Sequence, residues 1–497
     1  MSKLSRDELI EAASATDLPF VVEEPPVRAG GVDPLGLRQI NFQLMDQVFP
    51  GLNNTARHIR PYIVVTWAWR QAAEIARKSG ARTISVDLLK DFISRIEVIF
   101  AWSQFLANPE TDLPGRDVLA HLLNSDSFCF AGAGWDRLRD SRTYSTALTA
   151  PINYGPSLKG LRWVVANPEN TSILLPVDQE NGYLADFEDA LRPALEHPAL
   201  STFGPVAVAA DDVRQWSKLW PMASLSTAEQ QAARTRVFGE MASPPRRAAF
   251  ELMKAAYQRS TSKNISEIRT MMADPGIWTS LSVDGQSAGR AWAEVQVRQL
   301  FRLAIEGLFY WMTRWIDGKP IDTSGVAEKF VRLTESRTSR ASDWISGFAF
   351  PSTGVVTCLE QLDEALSGEL DAMPQAILAG LATAISQAPD EAHSFESADR
   401  LPLSLAARQA RAWSGQAPRV IMTRLMSDWV LAQHTYWAIG RGLADARSQG
   451  KSILRLKLVL EDGNWTNVPG TFQPRPNPTP DRLETALSLA METAALE

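Results

Sequence analysis

His434, Trp437 and Arg441 fall at i, i+3 and i+7, which puts an imidazole, an indole and a guanidinium on one helix face. A base next to a fixed cation can hold a phosphate and relay a proton; the same trio can also be a helix-surface histidine beside a packed tryptophan. Arg57 and Arg60 form a second constellation, three apart in Phe49-Pro-Gly-Leu-Asn-Asn-Thr-Ala-Arg-His-Ile-Arg-Pro-Tyr62. Their planar guanidinium groups can fork onto phosphates, or onto an internal acid that fixes the entry to the next helix. Further along, Arg455 and Lys457 precede Glu461-Asp462. Acids beside a lysine are the ingredients of a metal-dependent nuclease edge, but here their order is reversed, and a turn recruits such acids for its own geometry.

Other chemistries lack their local signatures. The chain has no GxxxxGK phosphate loop, no GxGxxG after a strand and no HxE with CxxC; Gly285-Gln-Ser-Ala-Gly289 has the GxSxG spacing but no strand-forming run before it, so it is not a nucleophile elbow. Five histidines are scattered without HxxxH or HExxH spacing, and the two cysteines, Cys129 and Cys358, are far apart. That excludes a thiolate zinc ribbon and a disulfide framework. No catalytic residue, metal site or cofactor is assigned, so binding is the function class left to argue.

Charge is distributed in blocks. The net charge is −7, yet Leu359 to Arg400 is dominated by acids and Leu401 to Lys457 by bases, among them Arg408, Arg411, Arg419, Arg424, Arg441, Arg455 and Lys457. Arg234 to Lys263 is a second basic run. Such blocks either present an anion-binding surface or pair with the chain's own acids.

The elements that would position these residues are mostly helical. Leu37, Ile40, Leu44 and Val48 recur at helical spacing until Pro50-Gly51 stops them. Ile63 to Trp69 is apolar all round, as a helix buried on several sides must be. Val297, Leu300, Phe301, Ala304, Ile305, Leu308, Phe309, Met312, Trp315 and Ile316 make a broad stripe that should anchor a central core. Arg246 to Tyr257 and Ile265 to Met272 are amphipathic, and Met422, Leu425, Met426, Trp429 and Trp437 mark another long helix. The segment from Pro389 to Pro402 reads as a linker. Ser5-Arg-Asp-Glu8 has capping-box spacing, which predicts a first helix there.

Strand signals are few. Between Arg116 and Leu191 the order is a helix over Asp117 to Leu123, one around Trp135, one over Ser157 to Val165, then a strand at Ile173 to Leu175. Three helices and a hairpin are the order of a winged-helix module, whose third helix would carry Lys159 and Arg162 toward DNA. Ile453, Leu454, Leu456, Leu458 and Leu460 alternate as a strand, Asp462-Gly463 is a hairpin turn, and Trp465 opens the return. Pro474 to Pro480 is extended, and a last helix begins at about Asp481.

The fold class expected is therefore mainly α, multi-helical subdomains with a winged-helix-like module and a small C-terminal β-hairpin. The divisions expected are 1–110, 111–235, 236–400 and 401–497, since 497 residues exceed what one core supports. The most apolar segment, Val295 to Ile316, carries Arg298, Arg302, Glu306 and Arg314, and the N-terminus has no secretion signal, so a cytoplasmic protein without a membrane span is expected.

Asp33-Pro-Leu-Gly36, the segment Phe49 to Tyr62 and the run Thr479-Pro-Asp-Arg-Leu-Glu-Thr-Ala-Leu487 resemble an uncharacterised bacterial family that occurs near anti-phage defence genes. The resemblance implies a context and carries no catalytic residue. Together with the charge blocks it leads to a non-enzymatic scaffold or nucleic-acid-associated subunit of a defence complex, with other protein subunits and DNA as partners. The anion-binding candidates are Arg57, Arg60, Lys159, Arg162, His434, Arg441, Arg455 and Lys457. A nuclease or other hydrolase with an unfamiliar site is the alternative.

Overall fold

The computed structural model describes residues 33–80, 83–142, 145–177, 182–350, 354–449, 455–468, 471 and 473–496. The capping-box helix expected at Ser5 and the residues Ile453 and Leu454 lie outside these. The described chain is mainly α-helical, with small two-stranded sheets. None of its helices is long and apolar enough to cross a membrane. Contacts group it into two compact units, each assembled from separated stretches. The first takes the residues up to Met45, Ser266–Thr279 and Gly289–Thr479; the second takes Asp46–Ile265, Ser280–Ala288 and Pro480–Glu497.

The first unit is organised on the part of the helix Val283–Trp315 that follows Ala288. Its expected stripe is buried, from Val297 through Phe301, Ile305 and Phe309 to Met312 and Ile316, with Trp315 partly covered. Around it lie Val355–Ala365, packed on Met373–Ser386, and Thr323–Leu333, packed on Pro418–Leu425. The helix beginning at Pro418 continues through a π-helical turn, Met426–Leu431, into Ala432–Gln449. Leu458–Glu461 pairs antiparallel with Asn464–Asn467. Asp462 and Gly463 take φ of 50° and 80°, the left-handed pair that a two-residue hairpin loop requires.

The surprise lies in the polar residues of the long helix. Arg298, Arg302 and Glu306, which interrupt the apolar run in sequence, are all within 1% of complete burial. Arg302 bonds Glu306 Oε2 at 2.7 Å and the Asn477 carbonyl at 2.8 Å, and Arg38 reaches the same carboxylate oxygen at 3.2 Å. Arg298 donates to the carbonyls of Leu401, Arg400 and Leu37 at 2.9, 3.1 and 3.4 Å. Burial pulls the Arg298 guanidinium down to about 10, still charged at neutral pH, so these carbonyls must satisfy it. The stretch Pro389 to Pro402, expected to be a linker, supplies two of them and contains the 3-10 turn Ala398–Arg400.

In the second unit, Arg60–Lys78 packs on Val86–Ala107, and every residue from Pro61 to Trp69 is buried. Ser226 and Glu229 close a capping box at the start of Thr227–Val237. The helices expected near Asp117 and Trp135 are Arg116–Leu123 and Gly132–Ser141. The third is shorter than expected: it spans Tyr154–Gly160, and Val164–Ala166 is a strand paired with Leu174–Pro176. Arg162 breaks the helix with φ of 57°, and the β-branched Val164 and Val165 favour the pleated conformation that follows. Ser127–Cys129 pairs with Ala207–Ala209 and not with the hairpin, so the three-stranded sheet of a winged helix is not assembled here.

Candidate functional site

The face that carries His434, Trp437 and Arg441 is turned onto Asp33-Pro-Leu-Gly36. His434 is 2% exposed, with Nδ1 3.2 Å from the Pro34 carbonyl and Nε2 accepting the Lys457 amide at 2.9 Å. Those two bonds fix a neutral ring with its proton on Nδ1. Burial drives the imidazole down to about 4. Gln433 donates to the Leu35 carbonyl at 3.0 Å, Arg400 to that of Gly36 at 3.0 Å and Arg298 to that of Leu37. Four successive carbonyls are thus held by four different side chains. Gly36 has φ of +70°, and a Cβ there would sit 2.3 Å from the Trp437 ring, over which the Arg400 guanidinium stacks at 3.7 Å. Asp33 accepts the amides of Leu37 and Arg38 at 2.9 and 3.2 Å and lies 3.7 Å from Arg441. Burial raises its carboxyl most, Glu306 adds to the rise, and Arg441 opposes it.

The segment Phe49 to Tyr62 is used in the same way within the second unit. It docks on the helix Leu483–Glu492 and the residues before it. Arg482 donates its amide to Asn54 Oδ1 at 3.1 Å and its guanidinium to the Phe49 carbonyl at 3.0 Å. Arg57 pairs with Glu484 at 2.7 Å, and Ser488 bonds the Arg57 carbonyl at 2.7 Å. Glu492 takes both His58 Nδ1 at 2.6 Å and the Ile59 amide at 2.7 Å. Arg60, 3% exposed, forks onto Glu229 at 2.5 and 3.2 Å and onto the Pro221 and Ser224 carbonyls. Gly51 and Gly160 meet backbone to backbone, so that a Cβ on Gly160 would be 2.8 Å from the Gly51 Cα. No family model, no curated protein and no solved structure matches this chain.

The candidate anion-binding residues therefore separate by environment. Arg60 and His434 are buried and saturated, and Arg57 is held by acids. Arg441, Arg455 and Lys457 are brought together with Pro34, Trp437 and Ala438 around a small depression of about 20 Å³. Burial, then the Arg455 charge, lowers the Lys457 ammonium. Lys159 and Arg162 are exposed in the second unit, on either side of the helix stop. Glu461 and Asp462 occupy the end of a strand and its turn, and no group of three or more His, Cys, Asp or Glu able to hold a metal ion is found among the described residues.

Three exposed cations of the basic block were not among the anion-binding candidates. Arg408 and Arg411 on the helix Leu403–Trp413, and Arg424 on Pro418–Leu425, are exposed and make no ion pair among the described residues. Arg408 and Arg411 are three apart and share a face opposite the buried Ala406 and Ala410. The Arg424 guanidinium lies 5.9 Å from the Trp413 ring, at the C-terminal end of that same helix. Arg419 sits nearby, bonded to Ser324 at 2.7 Å and 3.4 Å from Glu328. The signal that could have singled them out is the helical period, with alanines on one side and arginines on the other.

Proposed function

We propose that the chain is a non-catalytic, nucleic-acid-associated subunit of a bacterial anti-phage complex, and that it grips a polyanion through Arg408, Arg411 and Arg424. The observation that carries this is a contrast. Arg60, Arg298 and Arg302 spend their donors on the chain's own oxygens, whereas these three hold theirs toward solvent. A guanidinium fork matches the geometry of a phosphate, and several together on one helical hairpin neutralise a run of phosphates. Lys159 and Arg162 offer a second, smaller basic surface, on either side of the stop that ends Tyr154–Gly160.

The defence setting comes from the resemblance of Asp33–Gly36, Phe49–Tyr62 and Thr479–Leu487. Since these segments close the fold, their resemblance speaks for a shared architecture and not for a shared reaction. Filter retention of a duplex of about 30 base pairs, at about 50 and 200 mM salt, tests the reading. Retention that falls steeply with salt is expected; no retention at the lower salt overturns it. Co-purification with the products of neighbouring genes tests the subunit part, and a chain that purifies alone from its own cells would contradict it.

A further inference from the structure

The first unit contains a cavity of about 540 Å³ with a chemistry opposite to the arginine face. Its polar and aromatic lining is Asp399, Gln409, Asp428, Trp429, Gln433 and Tyr436, the remaining wall is leucine and alanine, and none of the lining residues is basic. Its volume lies in the range that holds a small molecule, roughly 300 to 1,000 Å³.

Three features define what it would take. Asp399 is partly exposed on the cavity wall, and its Oδ1 has no hydrogen-bond partner among the described residues. The nearest cation in sequence, Arg400, hydrogen-bonds the Gly36 carbonyl and stacks on the Trp437 ring, and it feels the Asp399 charge without a hydrogen bond to it. The Asp399 main chain is fixed by Gln433 and by Trp437, whose indole bonds its carbonyl at 3.1 Å, which sets the point on the wall from which the carboxylate projects. Asp428, exposed, adds a second negative charge, and Tyr436 supplies an aromatic wall. Gln409 is already committed to the Trp429 indole at 2.6 Å, which ties the wall formed by Leu403–Trp413 to the opposite one. Asp428 and Trp429 belong to the π-helical turn, and such turns recur at binding sites because the widened ring re-aims side chains.

We infer that this cavity binds a small organic cation with a flat or apolar body, its positive group between Asp399 and Asp428 and its body against Tyr436 and the leucines. A cleft lined by one sign of charge concentrates the opposite ion, and an aromatic wall adds attraction for the same ion. Isothermal titration of the full chain with benzamidine, benzoate and benzyl alcohol separates charge from shape, since the three share a ring. Benzamidine binding that Asp399→Asn weakens about tenfold, with a smaller loss for Asp428→Asn, is the result expected. Asp428 is exposed, so its variant decides the matter if Asp399→Asn does not fold. Benzoate or benzyl alcohol binding as well as benzamidine overturns the inference, as does no benzamidine binding at about 5 mM, or binding that the Asn variants leave unchanged.

Discussion

His434 and Lys457 share a hydrogen bond that decides the state of the imidazole: the Lys457 amide donates to Nε2 at 2.9 Å, so no proton can be added there without losing the bond. Nδ1, facing the Pro34 carbonyl, completes the neutral ring.

The consequence is a pH dependence with a defined sign. The unfolded imidazole titrates near 6.5 and the folded one at about 4, so between those values the unfolded chain binds the extra proton. The contribution of His434 is complete above about pH 6.5 and is lost as pH falls toward 4, in total on the order of 3 kcal/mol. Urea midpoints of the wild type and His434→Gln, measured from pH 7.5 to 4, should differ in slope over that window. Parallel curves would show that the ring is not buried neutral.

Gly36→Ala places a methyl group against Trp437 in a left-handed backbone. A loss of about 2 kcal/mol or more is expected, from the strain and the clash together. Trp437→Ala in the same chain should recover the clash and leave the strain, which a double-mutant cycle of melting midpoints resolves; strict additivity would mean the two residues do not meet.

Arg60→Met leaves Glu229 charged and buried, which should cost about 3 to 5 kcal/mol. Adding Glu229→Gln should restore a good part of it. A single variant as stable as the wild type would contradict the buried pair.

Glu492 holds the Ile59 amide and His58 at once. Glu492→Ala should cost about 1 to 3 kcal/mol and speed amide exchange in Leu483–Glu492. Arg57→Ala, breaking the half-exposed pair with Glu484, should cost less than about 1 kcal/mol. Equal effects would reverse this ranking.

Local periodicity was enough to read the buried helix at Ile63–Trp69, the central stripe to Ile316 and the hairpin at Asp462-Gly463. It failed where the partner was distant in sequence. Arg298 and Arg302 look like solvent-facing breaks in an apolar run because the carbonyls that satisfy them, Leu401 and Asn477, lie 103 and 175 residues away. For the same reason neither reading of His434 and Arg441, an anion site or a helix-surface histidine beside a packed tryptophan, pointed to their counterpart, a loop some 400 residues earlier. The third helix of the winged-helix reading stopped early because Arg162 turned left-handed ahead of two valines. The helical period could have shown Arg408, Arg411 and Arg424 as exposed, but not that they lack the ion pair which the equally exposed Arg419 makes with Glu328, 91 residues earlier.

The most direct test compares the salt dependence of duplex binding for the wild type and the triple variant Arg408→Gln, Arg411→Gln, Arg424→Gln, with circular dichroism confirming that the fold is kept. Each phosphate neutralised contributes about 0.9 to the slope of log K against log salt, so the variant should bind more weakly at every salt, with a slope shallower by about 2 to 3. Identical slopes and affinities for the two proteins would contradict an outward arginine face as the gripping surface.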